Sequence, residues 1–212
     1  MQTVTYRPLR AGDVKALAQI IGAVWYADEP TGLQERFGAV YLAQCAQRMT
    51  YAQVAEVDGV AVGVVVARAG EPEEEVRRTW RRAEDEALDA LEEAYPGAAE
   101  EVVSGLQTES EIDARLAQES GCDLIHEIVL FAVAASTRGL GVGKELIGRA
   151  EDYLARQGAE SFYLFTDTDC TWQFYEHRGM ERRATWRRAA DDERPLSDEM
   201  YVYAGVPAAQ ER

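Results

Sequence analysis

Apolar side chains at Val14, Leu17, Ile20, Ile21 and Val24 recur every three to four positions, a spacing that turns one face of a helix toward a core. Gly12 and Asp13 mark its start. Ahead of it, TVTYRPL (3–9) has the β-branched and aromatic content of a strand. A second helical pattern covers roughly 34–49, after the turn DEPTG. Two apolar, β-branched runs follow, YAQVAEV and VAVGVVVARA, joined by Asp58-Gly59, a two-residue hairpin signal. The period then returns to the helical one. Val76, Trp80, Ala83, Ala87, Leu91 and Tyr95 form a stripe with charges opposite, and Glu73, Glu74 and Glu75 sit in its first turn, where they complement the helix dipole. YPGA ends it, and a further helical stretch crosses Gly105 and Ser110 to about Gln118.

After ESGCD, LIHEIVLFAV (124–133) reads as a long buried strand. A glycine-rich turn leads into a helix over 141–157, with Val142, Leu146, Ile147, Ala150 and Leu154 on one face. SFYLFTD is another strand, CTWQFYEHRG a short helix closed by Gly179, and MERRATWRR and EMYVYAG are the last strands. The 212 residues, 47% hydrophobic and without an internal repeat, fit one core. The expectation is a single domain over 1–206, an acidic helical insertion at 71–120 within it, and a frayed tail at 207–212.

The formal charge of −16 argues against nucleic acid as a partner, because phosphates would be repelled over most of the surface. Segment 71–120 holds 16 acids against 5 bases, so it carries most of that excess. It is either a solvated helical face or a lid or partner surface. Cys45, Cys122 and Cys170 are odd in number and widely spaced, which suggests neither a disulfide framework nor a metal site. With no signal-like N-terminus and no apolar run near the ~20 residues of a membrane helix, a cytoplasmic protein without membrane association is expected.

In FAVAASTRGLGVGKELIGRAEDYL (131–154), Gly139, Gly141 and Gly143 lie between a strand and a helix. Glycines there let main-chain N–H groups converge, and the unpaired first N–H groups and positive dipole end of the helix face the same point. That is an anion site, most often one for phosphate. A Walker loop would need Gly where Arg138 stands and Ser or Thr in place of Glu145. A dinucleotide fingerprint would need Gly at Lys144. VAASTRGLGVGKEL instead resembles the R-G-x-G-x-G/A turn of the GNAT acetyltransferase superfamily, and FYEHRGM resembles that family's later F/L-Y-x-x-x-G-F segment, with Tyr175 and Gly179 aligned and Met180 replacing the aromatic.

The resemblance implies an α+β fold: a central mixed, mostly antiparallel sheet of about six or seven strands flanked by helices, with the insertion between the third and fourth strands. It also implies acetyl-coenzyme A as cosubstrate, with no metal. Its pyrophosphate would rest on the main chain of Arg138, Gly139, Leu140, Gly141, Val142, Gly143 and Lys144, and its acyl arm would lie along Phe131, Ala132 and Val133. Thr168 stands where the family often has Asn in contact with the coenzyme.

Acyl transfer to an amine needs a neutral nucleophile, a donor for the carbonyl oxygen and a proton for the departing thiolate. A lysine-like amine of pKa ~10.4 is neutral about once in 2,500 molecules at pH 7, a cost of roughly 4.6 kcal/mol. Glu127, beside the acyl site, is the candidate base through water, the alternative being a simple ion pair with an arginine. Tyr175 is the candidate acid, since a phenol of pKa ~10 stays protonated at neutral pH. His126 and His177 lack partners at ligand spacing and read as surface or hydrogen-bonded side chains. Trp25, Tyr26, Asp28 and Glu29, after the first helix, are candidates for binding a small-molecule or peptide amine, plausibly cationic. A non-catalytic acyl-CoA-sensing module, its insertion docking a partner, is the alternative, and a homodimer built on the Trp80 stripe a further one.

Overall fold

The computed structural model describes residues 3–192, 194 and 196–207. Its strands are β1 (Val4–Arg7), β2 (Tyr51–Val57), β3 (Val60–Ala69), β4 (His126–Val133), β5 (Phe162–Asp167), β6 (Glu181–Arg187) and β7 (Glu199–Gly205). The helices are α1 (Val14–Trp25), α2 (Thr31–Ala46), α3 (Glu74–Ala94), α4 (Ala98–Ser120), α5 (Val142–Arg156) and α6 (Gln173–His177). The seven strands form one sheet in the order β1-β2-β3-β4-β5-β7-β6, antiparallel except where β4 meets β5. The expected fold class and strand number hold. Among the described residues no helix is long and apolar enough to cross a membrane. The frayed tail expected over 207–212 falls, past Pro207, outside the described residues.

Alternation along the strands divides the core into two layers. Phe162, Leu164, Tyr201 and Tyr203 point to the face covered by α5 through Leu146, Ile147 and Leu154. Tyr163, Met200 and Val202 point the other way, where Ile112 and Leu116 of α4 cover them. Farther along that second face, Leu17 and Ile21 of α1 and Leu42 of α2 cover Val64, Val66 and Leu130. The two helices approach closely because both are glycine at the contact: a Cβ on Gly38 would lie 2.1 Å from the Ala18 carbonyl oxygen, and one on Gly22 would lie 2.2 Å from that of Gln34.

The insertion departs from the expectation of an added surface or lid. Of its two helices, α3 buries only Leu91 fully, against α2. By contrast α4 runs unbroken through Gly105 and buries Val102, Leu106, Ile112 and Leu116. It completes the helical layer that α1 and α2 begin, so half of this acidic segment is core. The apolar stripe outweighs the helix penalty of one glycine, about 1 kcal/mol.

Candidate active site

The functional cleft follows from how β4 and β5 pair. They share a single register position, Glu127 opposite Tyr163, and then diverge. On its other side β4 bulges: Ile128 and Leu130 oppose the adjacent Ala67 and Val66, leaving Val129 without a counterpart. From Ile128 onward the open edge of β4 has no ladder partner, and unpaired main-chain groups must find one elsewhere. The cleft that opens there has a volume of about 1640 Å³ and is lined by 128–139 of β4 and its turn and by 164–167 of β5.

Glu127 pins the closed end of this V. Its Oε2 accepts Arg68 Nη2 at 2.9 Å, Arg68 Nε at 3.1 Å, the Tyr163 hydroxyl at 2.8 Å and a further hydrogen bond from Arg48. Arg68 is also its cross-strand partner on β3. Glu127 is 1% exposed and does not line the cleft. The general-base role expected of it is therefore corrected to the other reading, an ion pair. Its Oε2, occupied by two guanidinium groups and a phenol, has little capacity left to take up a proton.

At one end of the cleft lie the glycines. Gly139 and Gly141 take φ of 84° and 73°, conformations that side chains bearing a Cβ rarely adopt. At Gly143 the reason is different: a Cβ there would come within 3.3 Å of the Phe131 ring, which would have to shift by a few tenths of an ångström. No side chain caps α5, so its first N–H groups are left for an anion. Arg138, Gly139, Gly141, Val142, Gly143 and Lys144 line the cleft here, and Phe131, Ala132 and Val133 line the open strand edge leading away. A diphosphate carrier with an extended arm fits this cradle.

Two expected contacts are corrected. Leu140, 45% exposed, points away from the cleft, its N–H closing the turn onto the Thr137 carbonyl. Thr168 does not line the cleft either. It is tied to β7, donating its N–H to the Glu199 carbonyl and accepting the Glu199 N–H on Oγ1. His126, opposite Ala69, and His177, exposed on α6, lie outside the cleft.

In the middle of the cleft, Tyr175 is 8% exposed and lines the wall together with Phe174, Cys170 and Asp167. Burial pushes its phenol far above the ordinary range, so it stays protonated. Asp167, at the end of β5, is held by two main-chain donors on Oδ1: Asp169 N–H at 2.8 Å and Cys170 N–H at 3.1 Å. Its Oδ2 meets only long contacts, from Trp25 Nε1 at 3.4 Å and Cys170 Sγ at 3.6 Å. Burial raises the Asp167 pKa, so Oδ2, with only these long contacts, is a ready proton acceptor in the cleft that Tyr175 also lines.

At the far end, Trp25, Tyr26, Asp28 and Glu29 all line the cleft. Trp25 stacks on Tyr41 at 5.2 Å, and Tyr26 meets Phe37 edge-on at 5.0 Å. Three further carboxylates of α4 that line the cleft went unrecognised in the sequence: Glu101, which is exposed, and the more sheltered Glu109 and Asp113. Burial, with Asp167 adding repulsion, pushes Glu109 up to about 7. Burial and then Glu109 hold Asp113 well above the usual carboxylate range. The signal was present, for Val102, Leu106, Glu109, Asp113 and Leu116 form one stripe at four-three-four-three spacing, with two acids at positions that should be apolar.

The family model of the Acetyltransferase (GNAT) family matches residues 15–180. No curated protein sequence matches the chain. Among solved structures it is similar to Ard1 from Thermoplasma volcanium, at 16% identity over 97% of this chain and 98% of that one, with a TM-score of 0.55. The ribosomal-protein-S18-alanine N-acetyltransferase from Escherichia coli matches at 10% identity over 97% and 95%, TM-score 0.54. Arylalkylamine N-acetyltransferase 2 from Aedes aegypti matches at 15% over 97% and 99%, TM-score 0.57. At these identities what is shared is the fold.

Proposed function

The chain belongs to the GNAT acetyltransferase family, and from that premise we propose that it moves an acetyl group from acetyl-coenzyme A to a primary amine by direct attack. The observation that carries this reading is that one cleft is lined by an uncapped helix N-terminus, an unpaired strand edge, Tyr175 and Asp167. Bound there, the coenzyme supplies an activated acyl carbon and a thiolate leaving group. Main-chain N–H groups of Gly139 and of residues 141–144 hold its diphosphate, with Arg138 and Lys144 adding charge. The free edge of β4 near Phe131 to Val133 orients the arm as an added strand would, and its N–H groups donate to the acyl carbonyl oxygen.

Asp167 takes over the role first expected of Glu127. Its Oδ2 accepts the proton that the incoming ammonium must lose, and burial makes it a better base than an exposed aspartate. The nitrogen then bonds to the acyl carbon and gives up its second proton to solvent as the carbon–sulfur bond breaks. Tyr175 passes its phenol proton to the departing sulfur and recovers one from solvent.

The test is thiol release from acetyl-coenzyme A against a panel of primary amines, alongside thermal shift with coenzyme alone. Turnover with at least one amine, and a fall in kcat of ~10²–10⁴ in Tyr175→Phe, is the expected result. A thermal shift without turnover for any amine would return the protein to the sensing module.

A further inference from the structure

Resting on the acetyl-transfer reading, we propose that the acceptor is a small aliphatic diamine or polyamine whose distal ammonium is held by Glu109 and Asp113 of α4 while its other amino group lies at Asp167. Several independent features of the far end of the cleft lead there. Asp113 lines the cleft, yet its Oδ1 is shielded from solvent and, among the described residues, has no hydrogen-bond partner. A buried carboxylate oxygen left unpaired costs about 1–3 kcal/mol or more, so this atom lacks a donor that the folded chain does not provide.

The missing donor carries positive charge. Asp113 feels Glu109, Glu127 and Asp167 as like charges, and Arg48 is the cation among the described residues whose field opposes them. Arg48 is spent on Glu127. The other titratable neighbours, Tyr26 and Tyr41 and the Cys45 thiol, are neutral groups that burial keeps protonated. Arg188, which also lines the cleft beyond β6, is paired with Asp198, so among the described residues of α1, α2, α4 and β5 none at this place balances Glu109 and Asp113.

The shape of the site selects among cations. A metal ion does not suit it, for no three His, Cys, Asp or Glu side chains among the described residues gather closely enough to hold one. A quaternary ammonium has no N–H to give Asp113, whereas a primary ammonium has three. The rings of Tyr26, Tyr41, Phe37 and Trp25 form the walls between the carboxylates and the mouth. Aromatic walls suit a methylene chain and attract a cation at its end. The raised pKa values of both acids fit a pair waiting for a cation, holding protons in its absence.

The experiment compares kcat/KM for 1,4-diaminobutane, spermidine and butylamine in the wild type, Glu109→Gln and Asp113→Asn, by thiol release. The wild type should favour the diamine over butylamine by roughly 10- to 100-fold, and each substitution should bring that ratio to near one. Thermal shift with coenzyme A on each variant reports that it is folded, since the coenzyme end does not use these residues. Calorimetry of 1,4-diaminobutane binding near pH 6 in two buffers of different ionisation enthalpy adds a readout independent of turnover: the wild type should release protons, and Glu109→Gln fewer. Equal use of diamine and monoamine by the wild type, or a preference that survives both substitutions, overturns the inference while leaving acetyl transfer standing. Coenzyme binding with no acetylation of any amine overturns the acetyl-transfer reading on which it rests.

Discussion

At the glycine-rich end of the cleft the proposed coenzyme cradle comes from one unbroken segment, 131–144, in which a strand, a turn and a helix start follow in sequence. At the acceptor end the walls come from Trp25 on α1, Tyr41 on α2, Glu109 and Asp113 on α4 and Asp167 on β5, and they meet only because α4 docks on the sheet. The first end keeps its geometry through local backbone conformation. The second depends on packing between distant elements, including the close glycine contact of α1 with α2. Specific chemistry assembled from separated elements can be altered by moving one helix, while a cradle made by a single turn cannot.

The comparison predicts that damage at one end leaves the other intact. The largest effect is expected in Asp167→Asn, which should lower kcat by roughly 10²–10⁴ while the dissociation constant of coenzyme A, measured by calorimetry, stays within about twofold. Next, Glu127→Ala attacks the junction where the two ends meet. It leaves Arg68 charged and part-buried, and should cost roughly 3 kcal/mol in urea unfolding. A loss of activity without that loss of stability would restore Glu127 as a catalytic group. Gly141→Val, at φ 73°, should weaken coenzyme A binding by about 1–3 kcal/mol with the ranking of amines unchanged.

The smallest effect is in pH dependence. Glu109 titrates from an ordinary 4.5 in the unfolded chain to about 7 in the fold, so the native state holds more protons between those values. Stability of the ligand-free protein should accordingly be greatest below about 4.5 as far as this group is concerned and fall as pH rises through 7, by at most roughly 3 kcal/mol and less to the extent that solvent screens this half-buried group. Melting temperatures across that window should flatten in Glu109→Gln. Unchanged curvature would mean that Glu109 is solvated.

Most of the fold could be read from the chain because apolar period, caps and turn residues act within a few residues. Asp58 and Gly59 take φ of 51° and 82°, as the hairpin signal requires, and the seven strands and the helix after the glycine turn lie where alternation and periodicity put them. Glu127 misled for a physical reason. Its neighbourhood in sequence, an apolar strand beside the acyl site, says nothing about Arg48 and Arg68, which arrive from α2's end and β3 to occupy it. Thr168 likewise faces β7, which lies some thirty residues ahead in the chain.

The insertion shows the same divide within one segment. Its charge suggested a solvated face, which describes α3 and the outer acids of α4, but mean composition does not register that Glu109 and Asp113 share a stripe with Val102, Leu106 and Leu116. By itself the sequence determined the elements, their order, and the anion-binding turn, all of which rest on interactions between residues close along the chain. Only the tertiary structure decided which carboxylates are paired, which are free, and which face the acceptor. Those properties depend on burial and on charges brought together from far apart in the chain, and neither exists until the sheet and its helices have closed.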